Sequence, residues 1–210
     1  MTQPNAKLHP GLNLGHHHGE AHNQAETVVF GFWVFLMSDL ILFGLTFASY
    51  ITLANNMGMA SGPTPADIID LVNVFAQTVL LLVSSLTFGV ASLTMRHKMP
   101  AKVTIAWLGL SLVLGLAFLG LAALDFLNMA NQGAVPSRSG YLSGLWSLVG
   151  LHAVHVTAGC FWIMIMIAQI AVLGLHPIVK SRVLRLGLFW HFLDIVWIGI
   201  FSIVYLGGLL

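Results

Sequence analysis

The sequence has 210 residues, of which 58% are apolar and only 7% are charged, and its mean hydropathy is +0.90. This composition excludes an ordinary soluble domain, in which charged residues make up about a quarter of the chain. Eight basic and seven acidic residues nearly balance, so no nucleic-acid partner is expected. Because Cys160 is the only cysteine, a disulfide within the chain is also excluded.

The first 26 residues are polar and contain five of the ten histidines, including His16-His17-His18 and His22. They show no apolar periodicity, which predicts a disordered, His-rich tail over residues 1–26. Histidine tracts bind zinc, nickel or copper, but no cysteine joins this one and nothing fixes a coordination geometry. The sequence leaves metal binding by the tail open.

Residues 27–210 are predicted to form one all-α integral membrane domain. A helix crosses a hydrocarbon core of about 30 Å with roughly 20 apolar residues. Five segments of the chain reach that length, and we therefore predict a bundle of five transmembrane helices at about 28–53, 68–95, 103–128, 141–173 and 185–209.

Basic residues orient this bundle, because short cytoplasmic loops retain Lys and Arg. Of the eight basic residues, seven lie on one side of the predicted spans and only Arg138 lies on the other. The N-terminus is therefore predicted to be cytoplasmic and the C-terminus periplasmic. The basic residues on the predicted cytoplasmic side are Lys7, Arg96, Lys98, Lys102, Lys180, Arg182 and Arg185.

Polar side chains inside apolar spans are the candidates for function, because ionisable groups in a bilayer cost several kcal/mol, roughly 2.5–3.5 per charge. Each has a functional and a structural interpretation. The candidates are Asp39, Gln77, Asp125, His152, His155, Gln169, His191 and Asp194.

The acidic candidates Asp39 and Asp125 differ in predicted depth. Asp39 lies near the middle of the first span, where a carboxyl group serves either as a proton relay or as an interhelical hydrogen-bonding group. Asp125 lies near the outer end of the third span, where an ordinary interfacial carboxylate is an equal alternative.

The histidines of the last two spans allow a ligand role or a packing role. His152 and His155 lie one turn apart, and His191 and Asp194 share one face of the fifth span. An i, i+3 histidine pair supplies only two metal ligands, and a haem held between helices would need His191 opposite. At 1.5 Å per residue His155 lies near the midplane and His191 only about 9 Å into the cytoplasmic side, which disfavours that pairing. We predict that His152, His155, His191 and Asp194 form an interhelical polar cluster that fixes the packing of the fourth and fifth helices.

The sequence resembles a known family, subunit III of the haem-copper respiratory oxidases. The resemblance covers nearly all of residues 28–210, and the last two motifs are the most specific. The motifs are Phe32-Trp33, Leu36, Ser38-Asp39 and Leu42-Phe43; Ser84-Ser85; Gly150 to Gly159 with His152 and His155; and Trp190-His191-Phe192-Leu193-Asp194-Ile195-Val196-Trp197 followed by Tyr205 and Gly207.

The five-helix form with a His-rich tail is most similar to subunit III of the bacterial cytochrome bo-type ubiquinol oxidases. This resemblance implies an accessory, cofactor-free and non-catalytic subunit in the bacterial inner membrane. Haems and copper would belong to subunit I, with subunits II and IV and phospholipids as further partners. The family's buried acids correspond to Asp39 and Asp125, candidates for a proton relay or a lipid cleft; Glu is common at both positions, so Asp shortens each side chain by one methylene.

Three other functions are compatible with the sequence. Subunit III of a cytochrome c oxidase is an alternative within the same family, because the electron donor docks elsewhere in the complex. A self-contained di-haem b membrane cytochrome would require haem ligation by these histidines. A small proton-coupled transporter would also place carboxyl groups in the membrane, although the spans contain no internal repeat and no helix-breaking Pro.

Overall fold

The structure, a computed structural model, describes residues 20–59, 70–97 and 99–208. All regular structure in these ranges is helical. The long helices are α1 (Glu20–Leu53), α2 (Leu71–Arg96), α3 (Ala101–Asn131), α4 (Gly140–Leu173) and α5 (Pro177–Ile200), and α5 continues directly into a π-helix at Phe201–Leu206. A single helical turn, Asn56–Met59, follows α1, and a 3₁₀ turn, Pro136–Arg138, precedes α4.

The predicted all-α membrane bundle is confirmed. Among the described residues, five helical segments are long and apolar enough to cross a bilayer. They are Thr27–Leu53, Leu71–Arg96, Ala101–Asn131, Gly140–Leu173 and Ile178–Leu206.

Two helix boundaries differ from the predicted spans. α1 begins at Glu20, so the end of the predicted tail is helical; residues 1–19, with His16-His17-His18, lie outside the described residues. α5 begins at Pro177 rather than near residue 185 and includes Lys180, Arg182 and Arg185. Hydropathy locates only the hydrocarbon part of a helix. Proline favours the first helical position, and long basic side chains reach the interface, so the helix itself starts earlier.

Local capping explains where two of the helices begin and where one ends. The Asp70 carboxylate accepts hydrogen bonds from the backbone N–H groups of Val72 and Asn73 at the start of α2. Ser139 accepts from Leu142 N–H at the start of α4. Gly174 ends α4 with a φ of 68°, a conformation that side chains other than glycine rarely adopt.

The helices pack around α4, which contacts α1, α3 and α5, while α2 packs against α3 and α5. α1 lies at the edge of the bundle and is largely exposed along its length. Its buried residues are Leu36, Asp39, Phe43 and Tyr50, a narrow stripe that faces α4 and α5. Asp39 therefore lies on the one packed face of α1, not on its exposed face.

Candidate functional site

Asp39 of α1 and His155 of α4 meet inside the bundle. Nε2 of His155 lies 3.6 Å from Oδ2 of Asp39, and both side chains are mostly buried, with 17% and 13% of their surfaces exposed. The ring of Phe43, one turn after Asp39 on α1, lies 5.1 Å from the His155 ring. The two ionisable groups are thus enclosed by apolar helix surface and face each other.

The hydrogen bond of the other ring nitrogen, Nδ1, determines which tautomer of His155 faces Asp39. Nδ1 lies 2.8 Å from the carbonyl oxygen of Leu151, and because a carbonyl only accepts, Nδ1 must carry a hydrogen atom. In a neutral imidazole Nε2 then has a lone pair, which would face a carboxylate oxygen if Asp39 were ionised. One shared proton removes that repulsion, on the carboxyl group or on Nε2. At 3.6 Å the contact has the length of an ion pair and not of a hydrogen bond, and Oδ2 of Asp39 is buried with no hydrogen-bond partner among the described residues.

His152 is fully buried and lies among aromatic rings. Its ring centroid is 5.3 Å from that of Trp197, 6.0 Å from Phe118 and 6.2 Å from Phe43. Neither ring nitrogen has a hydrogen-bond partner among the described residues. His152 and His155 thus share Phe43 as a neighbour. They differ in that His155 has a hydrogen-bond partner and His152 has none among the described residues.

His191 and Asp194 of α5 lie beside Ser85 of α2. Nδ1 of His191 lies 2.7 Å from Oγ of Ser85, and Asp194 lies beside both residues. Asp194 is 8% exposed, and its Oδ1 atom has no hydrogen-bond partner in the described part of the chain. The structure therefore distributes the four residues of the predicted cluster over three separate contacts, with α1, with aromatic rings and with α2.

Asp125 of α3 is held by two amides of α2. The side chains of Asn73 and Gln77, one helical turn apart, each donate to a different carboxylate oxygen. Both donors favour an ionised carboxylate, and neither titrates. Asp125 is thus held between two amides, whereas Asp39 faces the imidazole of His155.

Some contact residues were not predicted from the sequence. Asn73 was missed, although its spacing of four residues from Gln77 puts both amides on one helix face. Thr78 was also missed; its hydroxyl oxygen accepts the indole N–H of Trp197 at 3.0 Å. Gln169, which was predicted as a polar candidate, accepts from Arg182 across the turn between α4 and α5.

Among the described residues, His155 and His191 are not arranged as opposed ligands of a haem. His155 is paired with Asp39 and His191 with Ser85, on different helix faces, so they do not face each other across a shared space. No group of three or more His, Cys, Asp or Glu side chains suited to a metal ion occurs within the described ranges. The site defines a class of protein: a helical membrane protein with facing ionisable side chains in its interior and, in the part described, no group of three or more side chains suited to a metal ion.

Comparison with known proteins agrees with this class. Residues 11–209 match the sequence model of the family described as cytochrome c oxidase subunit III. The chain is 44% identical over 206 residues to the cytochrome bo(3) ubiquinol oxidase subunit 3 of Pseudomonas aeruginosa, covering 98% of this chain and 97% of that protein. It is 44% identical over 189 residues to the protein of the same name from Pseudomonas putida, covering 90% of each. It is 39% identical over 181 residues to the quinol oxidase subunit 3 of Bacillus subtilis, covering 86% of this chain and 87% of that one.

The chain belongs to the cytochrome c oxidase subunit III family. The resemblance inferred from its motifs is confirmed over almost the whole sequence. With five apolar helices, it is a multi-pass protein of the bacterial inner membrane.

Proposed function

We propose that this chain is the accessory subunit III of a proton-pumping ubiquinol oxidase that reduces oxygen to water. The observation that carries the proposal is its 44% identity, over 98% of its length, to a protein named as subunit 3 of a ubiquinol oxidase. The chain itself holds no redox centre. Its partners are subunits I, II and IV, with the haems and copper in subunit I, and phospholipids cover its exposed apolar faces.

The subunit supports proton delivery to subunit I through the Asp39–His155 pair. Two features support this role: Nε2 of His155 faces Oδ2 of Asp39 at 3.6 Å, and both side chains are partly exposed, by 17% and 13%. Transfer within the pair requires Oδ2 and Nε2 to approach from 3.6 Å to hydrogen-bonding distance. Asp125 serves a different purpose, because its amide partners neither accept nor release a proton; it fixes α2 against α3 near the outer interface.

The N-terminus lies in the cytoplasm and the C-terminus in the periplasm in this proposal. The distribution of basic residues supports it. Arg96 ends α2, Lys102 lies at the start of α3, and the first turns of α5 carry Lys180, Arg182 and Arg185. Thiol labelling of single cysteines placed at Lys102 and at Gly133 of a Cys160→Ala variant tests it. Labelling of the second position alone in intact cells supports the proposal, and labelling of the first alone contradicts it.

Purification of the tagged chain from native membranes in mild detergent tests the assignment. We expect a haem-bearing partner of larger mass and a reduced-minus-oxidised haem spectrum that belongs to the partner. Oxygen consumption should follow from ubiquinol and not from reduced cytochrome c. The family model, described by its cytochrome c oxidase members, makes cytochrome c the second candidate donor. A chain that purifies alone would contradict the proposal, and its own haem band would indicate a di-haem cytochrome instead.

Replacement of Asp39 tests the proton-delivery role. Asp39→Asn keeps the size of the side chain and removes its exchangeable acidic proton. We expect proton uptake during turnover to slow by roughly 100-fold if the pair is the main entry route, the low end of what a positioned proton-transfer group provides. Asp125→Asn is the matched control, because it removes a carboxylate that has no titratable partner. Equal uptake in both variants and in the unmodified complex would exclude the role.

A further inference from the structure

A second group of polar side chains lies between α2 and α5, apart from the Asp39–His155 pair. It consists of Ser85 on α2 with His191 and Asp194 on α5, and we name it the Ser85 group. Nδ1 of His191 is 2.7 Å from Oγ of Ser85, and Asp194 lies beside both. The Asp194 side chain is more than nine-tenths buried, with Oδ1 unpaired among the described residues. Nothing in the proposed function uses these side chains.

We infer that the Ser85 group is a second proton-binding site, which a proton enters at His191 and where it is stored on Asp194. A serine hydroxyl both donates and accepts, so it connects an imidazole to a carboxyl group in one chain of hydrogen bonds. Nε2 of His191 is not among the buried unpaired atoms, and His191 is only half-buried. This nitrogen is thus the accessible end of the chain, and Asp194 is the enclosed end.

Loading of the site transfers one proton from His191 through Ser85 to Asp194. In the unloaded site Asp194 is ionised, the Ser85 hydroxyl donates to it, and Nδ1–H of His191 donates to Ser85 Oγ. A proton binds to Nε2; the Nδ1–H bond then breaks as a new O–H bond forms on Ser85. The original Ser85 O–H bond breaks as its hydrogen atom moves to Asp194. One proton has been gained, and the site ends with a neutral acid and a neutral imidazole.

The surroundings favour that neutral final state. An unpaired ion inside a membrane protein costs several kcal/mol, and two neutral groups linked through a hydroxyl avoid this cost. The unloaded site carries one buried negative charge, so it has a strong tendency to take up a proton. Storage on Asp194 follows, because a proton on this carboxylate removes the only charge of the site, and Asp194 is buried, with 8% of its surface exposed.

Other ionisable groups do not substitute for this pair. Asp194 and His191 act electrostatically on each other. The remaining ionisable side chains described around them are engaged elsewhere or lie towards helix ends: Asp39 with His155 on α1 and α4, His152 among aromatic rings on α4, Asp125 with two amides on α3, Arg96 at the end of α2, and Lys180, Arg182 and Arg185 near the start of α5.

Infrared difference spectroscopy on the whole oxidase complex tests the inference. The probe is the C=O stretching band of a protonated carboxyl group, followed against pH and after transfer to D₂O. We expect Asp194→Asn to remove one such band. Ser85→Ala should keep the band but slow its hydrogen–deuterium exchange by roughly 100-fold, since it removes the transferring hydroxyl. If the Asp194→Asn variant does not assemble, Asp194→Glu assigns the band instead, because it should shift the frequency of the same band.

The matched control is Ser84→Ala. Ser84 is also fully buried on α2, but its hydroxyl donates to the Ser111 carbonyl at 2.9 Å and accepts from Trp190. Exchange at Asp194 should stay unchanged in this variant. Equal exchange rates in the Ser84 and Ser85 variants would overturn the relay, and absence of any band sensitive to Asp194 between pH 5 and pH 10 would overturn storage there. Asp39→Asn should leave the band in place, so this inference and the proposed function fail separately.

Discussion

The indole ring of Trp190 lies directly against the backbone of Gly159: a Cβ atom built on Gly159 would be 2.8 Å from Cζ3 of Trp190. On the other side, a Cβ on Gly115 would be 2.9 Å from Cη2 of the same ring. The indole N–H donates to Ser84 on α2 at 3.1 Å. One side chain of α5 therefore contacts α2, α3 and α4, and it fits only because two of these helices carry glycine at the contact.

Gly159→Ala is expected to destabilise the bundle by about 1–3 kcal/mol, because the added methyl group requires the indole ring or a helix to move. Phe189 also limits relief of the clash, since the new Cβ would lie 3.3 Å from its ring. The free energy of unfolding, measured by titration of SDS into mixed micelles, checks this. Gly150→Ala on the same helix is the control, because nothing lies within 4 Å of a Cβ there. A loss of stability as large in the control would contradict the explanation.

Gln77→Leu is expected to cost about 1–3 kcal/mol, because it leaves one oxygen of the Asp125 carboxylate without its buried donor. The double variant Gln77→Leu with Asp125→Leu should recover part of this loss, since it removes the unpaired charge as well. A double-mutant cycle on the free energy of unfolding measures the coupling between the two residues. Additive effects would mean that the amide clamp does not stabilise the α2–α3 contact.

Trp197→Phe is expected to destabilise the protein by about 1–3 kcal/mol. The change removes the hydrogen bond to Thr78 and reduces the edge contact with Phe118, whose ring centroid is 4.7 Å away. Trp33→Phe on α1 is the matched control, because Trp33 is 51% exposed. Thermal unfolding followed by tryptophan fluorescence compares the two variants, and equal midpoints would show that the indole N–H contributes nothing.

Residue positions along each helix were predictable, but helix partners were not. Hydropathy located the five spans, and helical spacing placed His191 and Asp194 on one face of α5. The predicted partner of that face was α4, whereas the structure places Ser85 of α2 there. Asp39 and His155 were predicted in separate groups, and the structure brings them to 3.6 Å. Spacing fixes which side chains share a face, but it contains no information on the helix opposite.

The sequence by itself determined the membrane class, the all-α architecture and the family, because composition, apolar length and ordered motifs are properties of the chain. Only the tertiary structure decided which polar groups meet, because contacts between helices depend on how the helices pack. Asp39 and Asp125 look alike in sequence, as single acids in apolar spans. They differ because α4 places an imidazole beside Asp39, while α2 places two amides beside Asp125.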